Sequence, residues 1–329
     1  MNGAAVVANA AAETYPARAA DRAAWIVARR PPRREVDAAR PYGYFVEDET
    51  DAHGAVRSVA TILLTNRECP YRCLMCDLWR HTLEASVPSG AIVRQIDVAL
   101  EALPPATVVK LYNSGSFFDH RAIPPGDYEG IADRLAGFDR VIVECHPALV
   151  GEDVVRFGAM LRGDLELALG LETAHRDVLA RLNKRMTLET YAAAAARLRA
   201  AGIASRAFVL VQPPFLAAAE AVAWAVRSAA FAFDEGAGAV SLIPVRGGNG
   251  ALEALAASGD FVPPSLATLE AAFDGALALG RGRVFADLWD LGRFSTCPRC
   301  FAAREARLRA MNLSQRAMRH VPCDACRAR

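Results

Sequence analysis

The fold this sequence predicts is α/β: parallel strands curled into a partial barrel, with a small cysteine-rich module at the C-terminal end. Three observations predict it. Short apolar runs alternate with longer amphipathic ones over residues 56–285, the short runs are apolar almost without a break, and cysteine is gathered into two tight groups. Strands covered on both faces read as continuous apolar runs, as in a parallel sheet with helices outside. A length of 329 residues accommodates one such domain and an appendage. With 53% hydrophobic and 23% charged residues the chain is not disordered, and a formal net charge of +1 excludes a uniformly basic surface.

The elements follow in chain order. Residues 1–55 are rich in alanine, arginine and proline, with Arg29-Arg30-Pro31-Pro32-Arg33-Arg34 at the centre, and read as a weakly ordered leader with one helix near Ala19–Arg29. The barrel occupies 56–285. Its strands are expected at Ser58–Leu64, Thr107–Tyr112, Arg140–Glu144, Leu165–Leu171, Ala204–Val211 and Ala239–Ile243. Helical patterns lie at Ile92–Leu103, Tyr128–Ala136, Glu152–Leu161, Leu188–Ala201 and Ala218–Phe233. Gly202 reads as a helix C-cap, and Pro213-Pro214 and Pro263-Pro264 mark loops. Residues 286–329 form the four-cysteine module. In such barrels chemistry collects at the C-terminal ends of the strands, so the residues just after each apolar run are the functional candidates.

Seven of the eight cysteines fall into the two groups, and Cys145 stands apart as a small core residue. A secreted disulfide framework would spread cysteines through a short chain behind a signal peptide. The N-terminus here has no basic region followed by a sustained apolar one, and the apolar stretch Phe215–Phe233 is interrupted by Glu220 and Arg227. The expectation is a cytoplasmic protein whose clustered thiols bind metal.

The first group, Cys69, Cys73 and Cys76, follows the first strand with spacing C-x3-C-x2-C. A zinc ion would need a fourth ligand, for which His81 is at hand, whereas an iron–sulfur cube held by three thiolates keeps one iron open. This loop resembles the signature of the radical S-adenosylmethionine enzymes, which carry it after the first strand of a partial (β/α)6 barrel. The resemblance implies that Cys69, Cys73 and Cys76 bind a 4Fe–4S cluster whose open iron chelates S-adenosylmethionine. It also implies reductive cleavage to a 5′-deoxyadenosyl radical that abstracts hydrogen, and a reductant such as flavodoxin or ferredoxin. Met75 stands where the family usually has an aromatic residue near the adenine, and a soft apolar side chain serves there.

Other strand ends extend the resemblance. Asn113-Ser114-Gly115-Ser116 follows the second strand, and Ser114, Gly115 and Ser116 are implied to meet the methionine amino group. Glu144 and Glu172 end the third and fourth strands. A carboxylate at a strand tip is costly to bury unpaired, so both read as binding ribose hydroxyls or the ammonium group rather than as structural salt bridges. His146 reads either as a substrate contact or as a residue leading into a helix before Pro147. Gln212 ends the fifth strand facing the cavity, and Lys184, one of only two lysines, reads as a solvated helix-end residue. With Leu182-Asn183-Lys184 and Asn312-Leu313-Ser314-Gln315, these runs look like the branch related to the elongator catalytic subunit, which includes the archaeosine synthase family.

The second group is Cys297-x2-Cys300 and Cys323-x2-Cys326 with 22 residues between. Two such pairs fill a zinc ion, and equally an auxiliary 4Fe–4S cluster; zinc is the expectation. The stretch Phe301–Arg319 carries Arg304, Arg307, Arg309, Arg316 and Arg319, which either track a phosphate backbone or form a solvated face. Three functions remain open: radical chemistry on a tRNA nucleoside, the same chemistry on a small metabolite, or a non-catalytic RNA-binding protein held together by metal.

Overall fold

The computed structural model describes residues 14–327. Eight strands form one sheet in sequence order: β1 (Gly43–Thr50), β2 (Val56–Leu63), β3 (Val108–Tyr112), β4 (Arg140–Cys145), β5 (Asp164–Glu172), β6 (Ala204–Val211), β7 (Ala239–Pro244) and β8 (Arg283–Ala286). β1 runs antiparallel to β2, and every later pair is parallel. The sheet is a curled half-barrel. Eleven α-helices accompany it among the described residues: α1 (Ala19–Val27), α2 (Ala91–Ala102), α3 (Tyr128–Arg134), α4 (Glu152–Met160), α5 (Arg176–Arg181), α6 (Leu188–Ala200), α7 (Ala221–Asp234), α8 (Ala251–Ala257), α9 (Leu266–Leu277), α10 (Pro298–Ser314) and α11 (Asp324–Arg327). None of them is long and apolar enough to cross a membrane.

The six apolar runs are β2 to β7, to within two residues at each end. Residues Leu165 to Glu172 of β5 are all buried, as expected of a strand covered on both faces. Gly202 takes the left-handed conformation of a C-cap, with φ +68°.

Two strands lie outside those runs. The leader contains β1 as well as α1, which buries Trp25 and Ile26, so this part of the segment is built into the fold rather than weakly ordered. β1 reads as polar because one of its faces carries Glu47 and Glu49. Both pair with Lys110 of β3, at 2.9 and 2.6 Å, and Glu49 also pairs with Arg206 of β6 at 2.5 Å. Arg206 in turn holds Glu166 of β5 at 2.5 Å, with Arg283 of β8 nearby. Thus a layer of charges fills the barrel at the N-terminal ends of its strands. Burial alone would raise the Glu49 and Glu166 carboxyls, but the Arg206 guanidinium between them holds both below the usual carboxylate range.

β1 and β8 are the two edges of the sheet and do not pair with each other. Helix α10 spans that seam. The Asn312 amide accepts from Ala286 N (2.8 Å) and donates to Ala286 O (2.9 Å), while the Gln315 amide accepts from Val284 N (2.8 Å) and donates to Val284 O (3.0 Å). On the other side Thr50 Oγ1 of β1 donates to Leu313 O at 2.5 Å. Two side-chain amides therefore do for β8 what a neighbouring strand would do.

Candidate cofactor and metal sites

The loop from Thr65 to Trp79 lies over the C-terminal ends of the strands and is tied down from three directions. Leu74 N donates to Leu182 O (2.9 Å), Asn183 Nδ2 donates to Arg72 O (2.7 Å), and Asn249 Nδ2, from the glycine-rich run after β7, donates to Leu74 O (2.8 Å). From the leader, Arg30 and Arg33 close on Glu68, where Arg72 joins them; Arg30 and Arg72 reach Glu68 Oε1 at 2.7 and 2.6 Å. Burial would raise the Glu68 carboxyl, and these hydrogen bonds hold it below its ordinary value. Arg30 also lies over the Trp79 ring, 4.5 Å from its centre. Glu68, Asn183 and Asn249 are missed by reading for cysteines alone. Their signals were position beside Cys69, after β5 and in Gly247-Gly248-Asn249-Gly250 after β7.

Cys69, Cys73 and Cys76 are partly buried, and burial pushes each thiol up to about 12. Among the described residues, the group of possible ligands whose atoms all lie within 4.8 Å of one another is Cys297, Cys300, Cys323 and Cys326. The His81 ring stacks on Tyr42, with 4.5 Å between ring centres. Gly115 lies against the loop so closely that a β-carbon there would stand 3.2 Å from Cys69 Cβ, and both polar atoms of the buried Asn113 amide lack a partner in the protein. These features fit a bound group above the strand ends.

Three strand tips carry non-glycine residues in the left-handed region: Ser114 after β3 (φ 56°), Glu172 at the end of β5 (67°) and Gln212 after β6 (58°). Such backbone is uncommon and concentrates at functional positions. The side chains divide by partner. Ser114 Oγ meets the Tyr42 hydroxyl at 3.0 Å. Ser116 Oγ turns to the tip of β4, where it accepts from His146 N at 3.3 Å. Gln212 Nε2 donates to Val262 O at 2.7 Å and fastens the Pro263-Pro264 loop.

Glu144 Oε1 accepts from Asn113 N (2.5 Å) and Gly115 N (3.2 Å), so this carboxyl holds the Asn113–Gly115 turn. Burial raises it to about 7 against those hydrogen bonds. Glu172 is in a buried ion pair with Lys184 at 2.5 Å through Oε1, so the lysine is not a solvated helix-end residue. His146 accepts from Ala148 N at Nδ1 (3.1 Å), donates from Nε2 to Lys184 O (3.0 Å), and stacks on Tyr71 at 3.8 Å with 7° between planes. Burial first, then the Lys184 charge, lowers it to about 4, so the ring is a neutral structural link. Met75 packs at the edge of the apolar cluster formed by Trp25, Ile26 and Leu74. Cys145 is buried in the core as expected.

The tail group is compact. Cys297 Sγ to Cys323 Sγ is 3.9 Å and Cys300 Sγ to Cys326 Sγ is 3.6 Å. The helix between the pairs does not present a free row of arginines. Arg304 makes a forked pair with Glu270 (2.6 Å at the closest), and Arg307 binds Asp274 (2.7 Å), so α9 neutralises both.

No family model matches the chain. It is 25% identical over 227 residues to an uncharacterised protein of Methanocaldococcus jannaschii, covering 64% of this chain and 62% of that one. It is 30% identical over 159 residues to archaeosine synthase subunit beta of Thermococcus kodakarensis, covering 46% and 49%. The chain thus spans about half to three-fifths of the length of these relatives. A solved structure of Elp3 from Methanocaldococcus infernus aligns at 14% identity with a TM-score of 0.47, over 59% of this chain and 51% of that one. The sequence relatives agree with the resemblance read from the motifs in one respect: the chain is similar to archaeosine synthase subunit beta.

Proposed function

We propose that the chain is a radical S-adenosylmethionine enzyme, with Cys69, Cys73 and Cys76 as ligands of a 4Fe–4S cluster. The observation that carries this reading is the C-x3-C-x2-C triad on the loop that follows β2, beside strand tips with left-handed backbone. When bound, the cluster supplies the electron that cleaves S-adenosylmethionine to a 5′-deoxyadenosyl radical, which takes hydrogen from substrate. The chain's own residues hold and shield that group. Glu144 fixes the Asn113–Gly115 turn, whose backbone and Ser114 hydroxyl are the donors and acceptors we assign to the cofactor's amino acid part. Met75 supplies the apolar contact for the adenine, and Glu172 keeps its second carboxylate oxygen for the nucleoside.

The tail we assign to one structural zinc ion. A tetrahedral site with metal–sulfur bonds of about 2.3 Å separates its sulfurs by about 3.8 Å, the spacing found here. A flavodoxin or ferredoxin in a reducing cytoplasm fits as the electron donor. For substrate, a modified tRNA nucleoside follows from the likeness to archaeosine synthase subunit beta. A small metabolite is the second reading, favoured by the neutralisation of Arg304 and Arg307.

Anaerobic reconstitution with iron and sulfide, then reduction in the presence of S-adenosylmethionine, tests the reaction. The expected product is 5′-deoxyadenosine. Its absence, or equal formation by C73A, overturns the reading.

A further inference from the structure

Lys184 is one of two lysines in the chain and is 7% exposed beneath the cysteine loop. Its neighbours place it there. Leu182 O and the Asn183 amide bind the loop at Leu74 and Arg72, and Lys184 O accepts from His146 Nε2 on the other side. Asn183 and Arg185 both take left-handed backbone, with φ 55° and 57°, so the lysine is held between two strained residues. Its ammonium meets Glu172 Oε1 at 2.5 Å, over Gly170, where a β-carbon would stand 2.4 Å from both charged atoms. A buried ion pair is a poor device for stability, since packed apolar residues serve as well or better. This pair is buried on the segment that fastens the cysteine loop, one residue beyond the Asn183 amide that binds Arg72 O between Cys69 and Cys73.

Resting on the assignment of the triad to an iron–sulfur cluster, we propose that Lys184 and Glu172 set that cluster's reduction potential, the lysine raising it and the glutamate lowering it. Reduction adds one electron and so one negative charge above the pair. A buried cation favours that state and a buried anion disfavours it, with little screening by water.

The test is a redox titration of the reconstituted full chain with dithionite, followed by electron paramagnetic resonance of the reduced cluster. K184M is expected to shift the midpoint to more negative potential and E172Q to more positive potential, two shifts of opposite sign that loss of packing would not produce. E172Q keeps shape and hydrogen bonding, so its positive shift is required even if K184M loses iron. Equal potentials, or shifts of one sign, overturn the proposal. Wild-type chain that takes up no iron at the triad overturns the triad assignment and this proposal with it, whereas a cluster with an unmoved potential overturns only the latter.

Discussion

The two cysteine groups hold their thiols in opposite ways. The tail gathers four sulfurs within 4.8 Å on two short turns, with Cys326 exposed. The triad sits on a loop held by Asn183, Asn249 and the Glu68 arginines, beside strand tips with left-handed backbone. A four-thiol site closes around its metal, whereas three thiols on the proposed cluster would leave one coordination position for chemistry. If the comparison is right, each site can be removed while the other remains.

The largest effect is expected from C73A. Formation of 5′-deoxyadenosine should fall at least about a hundredfold and the iron absorbance disappear, with zinc content and circular dichroism unchanged, the scale of losing a group needed for the chemical step. Iron retained at full stoichiometry after removal of all three triad cysteines would assign it to the tail and erase the distinction.

Next in size is C300A, which should lose zinc and expose α10 and β8 to hydrogen exchange while the triad still takes up iron. Structural zinc contributes folding free energy directly, so a cost of several kcal/mol is expected. Unchanged exchange in β8 would show that the tail is only an appendage.

A third probe concerns the link between the sites and pH. His146 is lowered from an ordinary 6.5 to about 4 in the folded chain. A base whose folded value is depressed stabilises the fold above its unfolded value, and that contribution is lost as pH falls from about 6.5 towards 4. It amounts to roughly 3 kcal/mol. H146N should flatten the stability profile over that window in urea melts, and an unaltered slope would refute the buried neutral ring.

The smallest effect is expected from N312A, which leaves Ala286 N and O unpartnered, at about 1–3 kcal/mol by thermal unfolding.

The parallel strands were legible because burial on both faces writes itself as apolar runs, and the cysteine groups because each of these thiols has another only three or four residues away. Less legible were β1 and the ion-pair layer. Glu47 and Glu49 look like solvent-facing residues until Lys110 and Arg206, 61 to 157 residues away, supply their partners. A pairing across α5 likewise misled the reading of Lys184, whose type alone suggested a surface residue. For the arginines of α10 the choice between a phosphate track and a solvated face stayed open, because Glu270 and Asp274, on another helix, are invisible in a local charge count.

The amide ladder from Asn312 and Gln315 has one more consequence. An uncovered strand edge is a template for the strand of another molecule. By occupying the β8 edge, α10 denies that template to a second copy of the chain. Chelation or oxidation of the tail cysteines should therefore first appear as self-association in light scattering, before any loss of helix signal.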